Sequence, residues 1–144
     1  MTWAAHSWLF WALASAVFAA LTAILAKLGT QEVDPDVATL VRTGVILALV
    51  LGIAAIRGKV GQAASVPGAS LGWLVASGLA TGASWVCYFR ALKLGDASRV
   101  APVDKLSVVF VAVFAVLVLG EKLSATGWAG VGLIAAGAAL LAMS

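Results

Sequence analysis

The stretch DPDVATLVRTGVILALVLGIAAIRG, residues 34–58, decides the fold. It opens on Asp34, Pro35 and Asp36, an N-cap followed by proline in the first helical turn. It then runs apolar to Ile56, interrupted by one charge at Arg42, and stops at Arg57 and Gly58. A helix over about 36–56 rises about 31 Å, the thickness of a bilayer's hydrocarbon core. Four further apolar runs of similar length flank it, over about 7–28, 71–92, 99–119 and 125–142. The expectation is therefore an all-α membrane protein: a bundle of five transmembrane helices forming a single transmembrane domain over residues 1–144.

Composition leads to the same class. With 63% hydrophobic and 10% charged residues, too little polar surface exists for a water-soluble domain, so lipid is the outer solvent. The longest polar connection, Arg57–Ser70, is too short for a separate soluble domain. The net charge of +3 is spread over helix ends without a basic, aromatic-interleaved patch, so nucleic acid is not an expected partner. A single cysteine, Cys87, and a single histidine, His6, leave neither a disulfide framework nor a metal set, and no cofactor is expected. Trp3–Leu28 is longer than a signal core and is preceded by no basic region, so it reads as the first permanent helix. No nucleophile–base pair or phosphate-cradling glycine loop suggests an enzyme.

Five spans place the termini on opposite sides, and the connections sort into two faces. The N-terminal face carries Arg57, Lys59 and Lys122; the other carries Lys27, Lys93 and Arg99, with Arg90 arguable as a fourth. The positive-inside rule returns almost a tie. One reading is a single orientation decided by a marginal charge. The sharper one is dual topology, in which chains inserted both ways assemble as an antiparallel homodimer of ten helices. Trp3, Trp8, Trp11, Trp73 and Trp128 fall near the N-terminal face as an interfacial belt, leaving Trp85 inside.

Charges within the spans carry the functional signal. Thr43–Ile56 and Leu106–Leu119 each hold fourteen residues, about 21 Å, short of the core thickness. Arg42, Asp104 and Lys105 must therefore enter the membrane or a polar pocket. Arg42 and Asp104 lie at matching depth in one leaflet, and an ion pair between them is expected. Arginine and lysine near helix ends can also snorkel, whereas aspartate is too short to do so. Around these charges, Thr39 and Thr43 flank Arg42, and Ser107 shares a side with Asp104. Ser77, Thr81, Ser84 and Tyr88 form a polar stripe on the third helix, bordered by Trp85. The same helix carries Gly78 and Gly82, suited to close helix packing, while Arg90 points away toward headgroups. The uncharged fifth helix carries Gly130, Gly132, Ala136 and Gly137, small residues that make it a packing helix suited to joining protomers.

Two segments carry a family resemblance. Trp85–Val109, WVCYFRALKLGDASRVAPVDKLSVV, resembles the junction of the third and fourth helices of EamA-type members of the drug/metabolite transporter superfamily. Val116–Leu141, VLVLGEKLSATGWAGVGLIAAGAALL, is similar to the fourth-to-fifth-helix segment of the same repeat. One repeat in the chain matches the five-helix, single-repeat bacterial and archaeal branch. The resemblance implies a homodimer in the plasma membrane of a bacterium or archaeon and secondary transport of small metabolites, often export. It also implies a cavity among the first four helices and a dimer contact on the fifth. The related small multidrug resistance proteins carry a glutamate within helix one; this chain offers only Ser15 and Thr22 there, which disfavours export of polyaromatic cations.

The functional expectation is alternating access by an antiparallel dimer, with one Arg42–Asp104 gate per protomer in opposite leaflets. Arg42 and Lys105 together outweigh Asp104, which favours an anionic or zwitterionic substrate. Two alternatives stand beside it: a subunit of a hetero-oligomeric transporter, for instance of a lipid-linked sugar, and a membrane assembly protein without transport.

Overall fold

The computed structural model describes the backbone of residues 3–144 and the side chains of residues 8–144. The expectations for the side chains of Trp3 and His6 lie outside the described residues. The elements are α1 (Trp3–Gly29), α2 (Pro35–Ile56), a 3₁₀ turn (Val60–Ser65), α3 (Gly68–Leu94), α4 (Ala97–Asp104), α5 (Ser107–Val118) and α6 (Ala125–Met143). Among the described residues these make five spans long and apolar enough to cross a membrane, α4 and α5 together providing the fourth. The outer surface fits that medium. Large apolar side chains lie outward along every span, and among the described residues the buried apolar ones reduce to Ala23, Phe89, Leu92 and Ala138. In water such a surface would drive aggregation; in lipid it is the solvated one. Trp8, Trp11, Trp73 and Trp128 are 67, 70, 79 and 40% exposed.

Local signals account for the helix ends. Asp34 caps α2, its Oδ1 accepting from the N–H groups of Asp36 (2.8 Å) and Val37 (3.3 Å), with Pro35 in the first turn where its missing N–H is harmless. Ser124 caps α6 by accepting from the Gly127 N–H at 3.1 Å. Asp96 occupies the N-cap position of α4, but its side chain makes no capping bond. At the end of α2, Gly58 takes φ +64° while its N–H donates to Ala55 O (2.9 Å) and the Lys59 N–H donates to Ala54 O (2.8 Å). These two bonds are the Schellman pair. Gly58→Ala is therefore expected to destabilise the chain by about 1–2 kcal/mol, the strain of a left-handed non-glycine residue, read as a lower midpoint in detergent denaturation.

Contacts divide the chain into two units, Leu28–Lys93 on one hand and, on the other, the chain up to Lys27 with Leu94–Ser144. Within each, cations tie off helix C-termini, where carbonyls lack intrahelical donors. In the first unit Lys93 donates to Thr30 O (2.8 Å) and Gln31 O (2.6 Å), just past α1. In the second, Lys27 donates to Gly95 O (2.9 Å), just past α3, and Arg99 to Ala142 O (2.7 Å) in the last turn of α6. The charges counted in the topological near-tie thus also serve as caps.

The fourth span departs from expectation. A continuous helix over 99–119 was expected to tolerate Pro102 in its first turns, but the structure has two helices meeting at Lys105 and Leu106. The Lys105 N–H is shared between Ala101 O (3.3 Å) and Pro102 O (3.1 Å), and Leu106 donates to Val103 O at 3.0 Å. Pro102 has no N–H to offer Ser98, and the backbone tightens into i to i+3 bonding three residues later. Ser107 opens α5, and i to i+3 bonding across the junction keeps residues three apart, such as Asp104 and Ser107, on one side.

Candidate functional site

Arg42 lies seven residues along α2 from Pro35, about 10 Å from its start. Its guanidinium carbon sits 4.2 Å from the centre of the Trp85 ring and 5.5 Å from that of Phe89, both on α3. Trp85 and Phe89 are four residues apart and so share a helix face. Aromatic faces attract a cation through the ring quadrupole, and the attraction grows where water is excluded. Arginine suits the position because its planar group stacks while its edge N–H donors stay available. Within this unit the guanidinium is held by rings and not by a carboxylate, for Asp36 is taken by Arg90. That pair is bidentate, Nη2 to Oδ2 at 2.9 Å and Nε to Oδ1 at 3.2 Å. Arg90 therefore ties α3 to the start of α2, where a headgroup contact had been expected.

The hydroxyl groups nearby are mostly committed to their own helices. Thr39, buried, donates to Pro35 O at 2.8 Å, and Thr43 donates to Thr39 O at 2.7 Å. Thr81 donates to Ser77 O at 2.9 Å. Such back-bonding leaves the oxygen lone pairs as acceptors but uses the proton. Ser77 and Ser84 are exposed along the α3 stripe, and Tyr88 is half-buried with its ring 6.4 Å from that of Phe89.

In the other unit, Asp104 ends α4 seven residues from Ala97, the distance Arg42 has from Pro35. Asp104 pairs with its neighbour, Lys105 Nζ to Oδ2 at 3.0 Å. The ion pair of Arg42 with Asp104 expected from depth joins residues of different units; within its own unit each has the neighbour just described. Ser107 is exposed at the first turn of α5. On α6, a Cβ added at Gly130, Gly132 or Gly137 would meet no atom within 4 Å, and Ala136 is exposed. The same openness holds at Gly78 and Gly82 on α3. Away from these charges, a largely apolar cavity of about 200 Å³ lies along α5 beside Glu121 and Lys122.

Phe89 and the Arg90–Asp36 pair were missed from sequence, although a signal existed. Phe89 and Trp85 stand five and nine residues from the end of α3, bracketing the depth of Arg42 on the antiparallel α2.

A helical protein with five spans and charged groups held inside them belongs to the class of polytopic membrane carriers. The chain belongs to the EamA-like transporter family, whose model matches residues 6–143. It is similar to a protein of a Sinorhizobium species described as an uncharacterized transporter in the cobO 3′ region, with 59% identity over 138 residues, 96% of this chain and 98% of that one. No solved structure matches the chain significantly. Family and spans together make it a multi-pass transporter of the plasma membrane.

Proposed function

We propose that the chain is a secondary transporter, an exporter or permease, of a small polar metabolite that is anionic or zwitterionic. It works by alternating access as an antiparallel homodimer of chains inserted in both orientations. The observation that carries the substrate class is Arg42, a cation within the span, seated on Trp85 and Phe89 and not neutralised by a carboxylate of its own unit. Its edge donors match a carboxylate in geometry and charge. The near tie of positive charges favours dual insertion. The small residues of α6, Gly130 and Gly137 on one side and Gly132 and Ala136 on the other, favour close approach of a second protomer.

Exchange in proteoliposomes tests this reading. The purified chain alone is reconstituted and offered a panel of labelled amino acids and short carboxylates, with quaternary ammonium compounds as the opposing class. Exchange of one or more carboxylate-bearing compounds is the expected result. Exchange restricted to cations would refute the substrate class. Absence of any exchange until a second small membrane protein is added would point to a hetero-oligomer.

A further inference from the structure

On α5, Val108, Val111, Ala112, Ala115 and Val116 recur at the spacing of one helix face, and none is larger than valine. The bulkier Phe110, Phe114 and Leu117 fall on the other side, where all three are exposed. The small side is a furrow, and it walls the cavity of about 200 Å³. That volume is below the roughly 300 Å³ from which pockets take a whole drug-sized molecule, and the α5 lining offers no hydrogen-bonding side chain to orient one. It suits an apolar chain lying along the helix.

Two charges stand at the mouth of this furrow. Gly120 takes φ +68°, and the Glu121 N–H donates back to Ala115 O at 3.0 Å, which folds the link after α5 over the helix end. Glu121, Lys122 and Leu123 thereby join the lining. Leu123 lies against the first turn of α6, where a Cβ added at Gly127 would fall 2.7 Å from its Cγ. Among the described residues, neither the Glu121 carboxylate nor the Lys122 ammonium has a hydrogen-bond or ion-pair partner; the ion pairs are Arg90 with Asp36 and Lys105 with Asp104. The link joins two spans, so its charges stand at headgroup level while the furrow runs into the hydrocarbon.

We infer that this cavity is a binding site for a phospholipid with a primary-amine headgroup, phosphatidylethanolamine. One acyl chain lies in the furrow of α5, the phosphate accepts from Lys122 Nζ, and the headgroup ammonium donates to the Glu121 carboxylate. Neighbouring side chains of opposite sign match a headgroup that carries both signs. An anionic lipid without an amine meets Lys122 but is repelled by Glu121, and a choline headgroup has no N–H to donate. The site uses neither Arg42 nor the Asp104–Lys105 pair and is independent of which solute the chain carries.

The test uses the full chain in phosphatidylcholine nanodiscs with a trace of phosphatidylethanolamine bearing a photoreactive diazirine in one acyl chain, the adducts being mapped by peptide mass spectrometry. Adducts concentrated on residues 108–116 are expected, displaced by unlabelled phosphatidylethanolamine but not by phosphatidylglycerol or further phosphatidylcholine. Glu121→Gln combined with Lys122→Gln should lower that labelling about tenfold through loss of two charge-assisted contacts, with labelling of α2 unchanged. Adducts spread evenly over the outward faces of all spans, or displaced equally by the three lipids, would mean bulk lipid and overturn the inference. Adducts that spare residues 108–116 while marking other spans would mean that a second copy or another protein covers the furrow, which overturns it as well. The competition is run on the wild-type chain, so it decides the matter even if the double variant fails to assemble.

Discussion

Arg42→Ala is expected to lower carboxylate exchange in proteoliposomes by about 100-fold, equal to about 2.7 kcal/mol of lost stabilisation. The guanidinium rests 4.2 Å from the centre of the Trp85 ring with its edge donors free of any carboxylate in its own unit, so truncation removes both the charge and the fork. Arg42→Lys tests which property matters. A lysine keeps the charge but neither stacks as a plane nor donates bidentately, so it should recover only about a tenth of the wild-type rate. Helical content should be unchanged in both variants, since Arg42 makes no capping bond and is half-exposed. Wild-type exchange by Arg42→Ala would reduce Arg42 to a surface residue.

Leu92→Ala is expected to destabilise the chain by about 2–3 kcal/mol. Leu92 has no exposed surface, and Phe89, three residues earlier on the same face, is 3% exposed. Packing contacts rather than water exclusion hold helices together in lipid, and a hole sealed from lipid recovers none of the contacts it loses. The control is Leu47→Ala on α2, where the side chain is 67% exposed and lipid fills the vacated space, with a change within about 0.5 kcal/mol. The comparison is read as midpoints of detergent unfolding. Equal midpoints for the two variants would mean that Leu92 is not part of a packed contact.

The spans were legible because their signals are local. Asp34–Pro35 announces a helix start and Gly58 a helix end, and the run between them is the length of a bilayer core. The positions of Arg42 and Asp104 along their helices were legible from the same counting. What they touch was not, because contacts depend on register between helices. Arg42 meets Trp85 and Phe89 because α3 returns antiparallel with those rings at the depth of Arg42, a match visible only once two helix ends are known. The break at Lys105 escaped for another reason. Proline is ordinarily harmless in a first turn, but Pro102 stands sixth in α4, and the backbone adjusts three residues past it.

The antiparallel dimer is tested most directly by the orientation of the C-terminus. In a Cys87→Ser background, a single cysteine introduced as Ser144→Cys is labelled in intact cells with an impermeant thiol reagent, then again after permeabilisation. Labelling of about half the chains before permeabilisation is the expected result for dual insertion, where opposed protomers supply equivalent sites in the two leaflets. Labelling of all chains, or of none, would contradict it and leave a single orientation incompatible with an antiparallel homodimer.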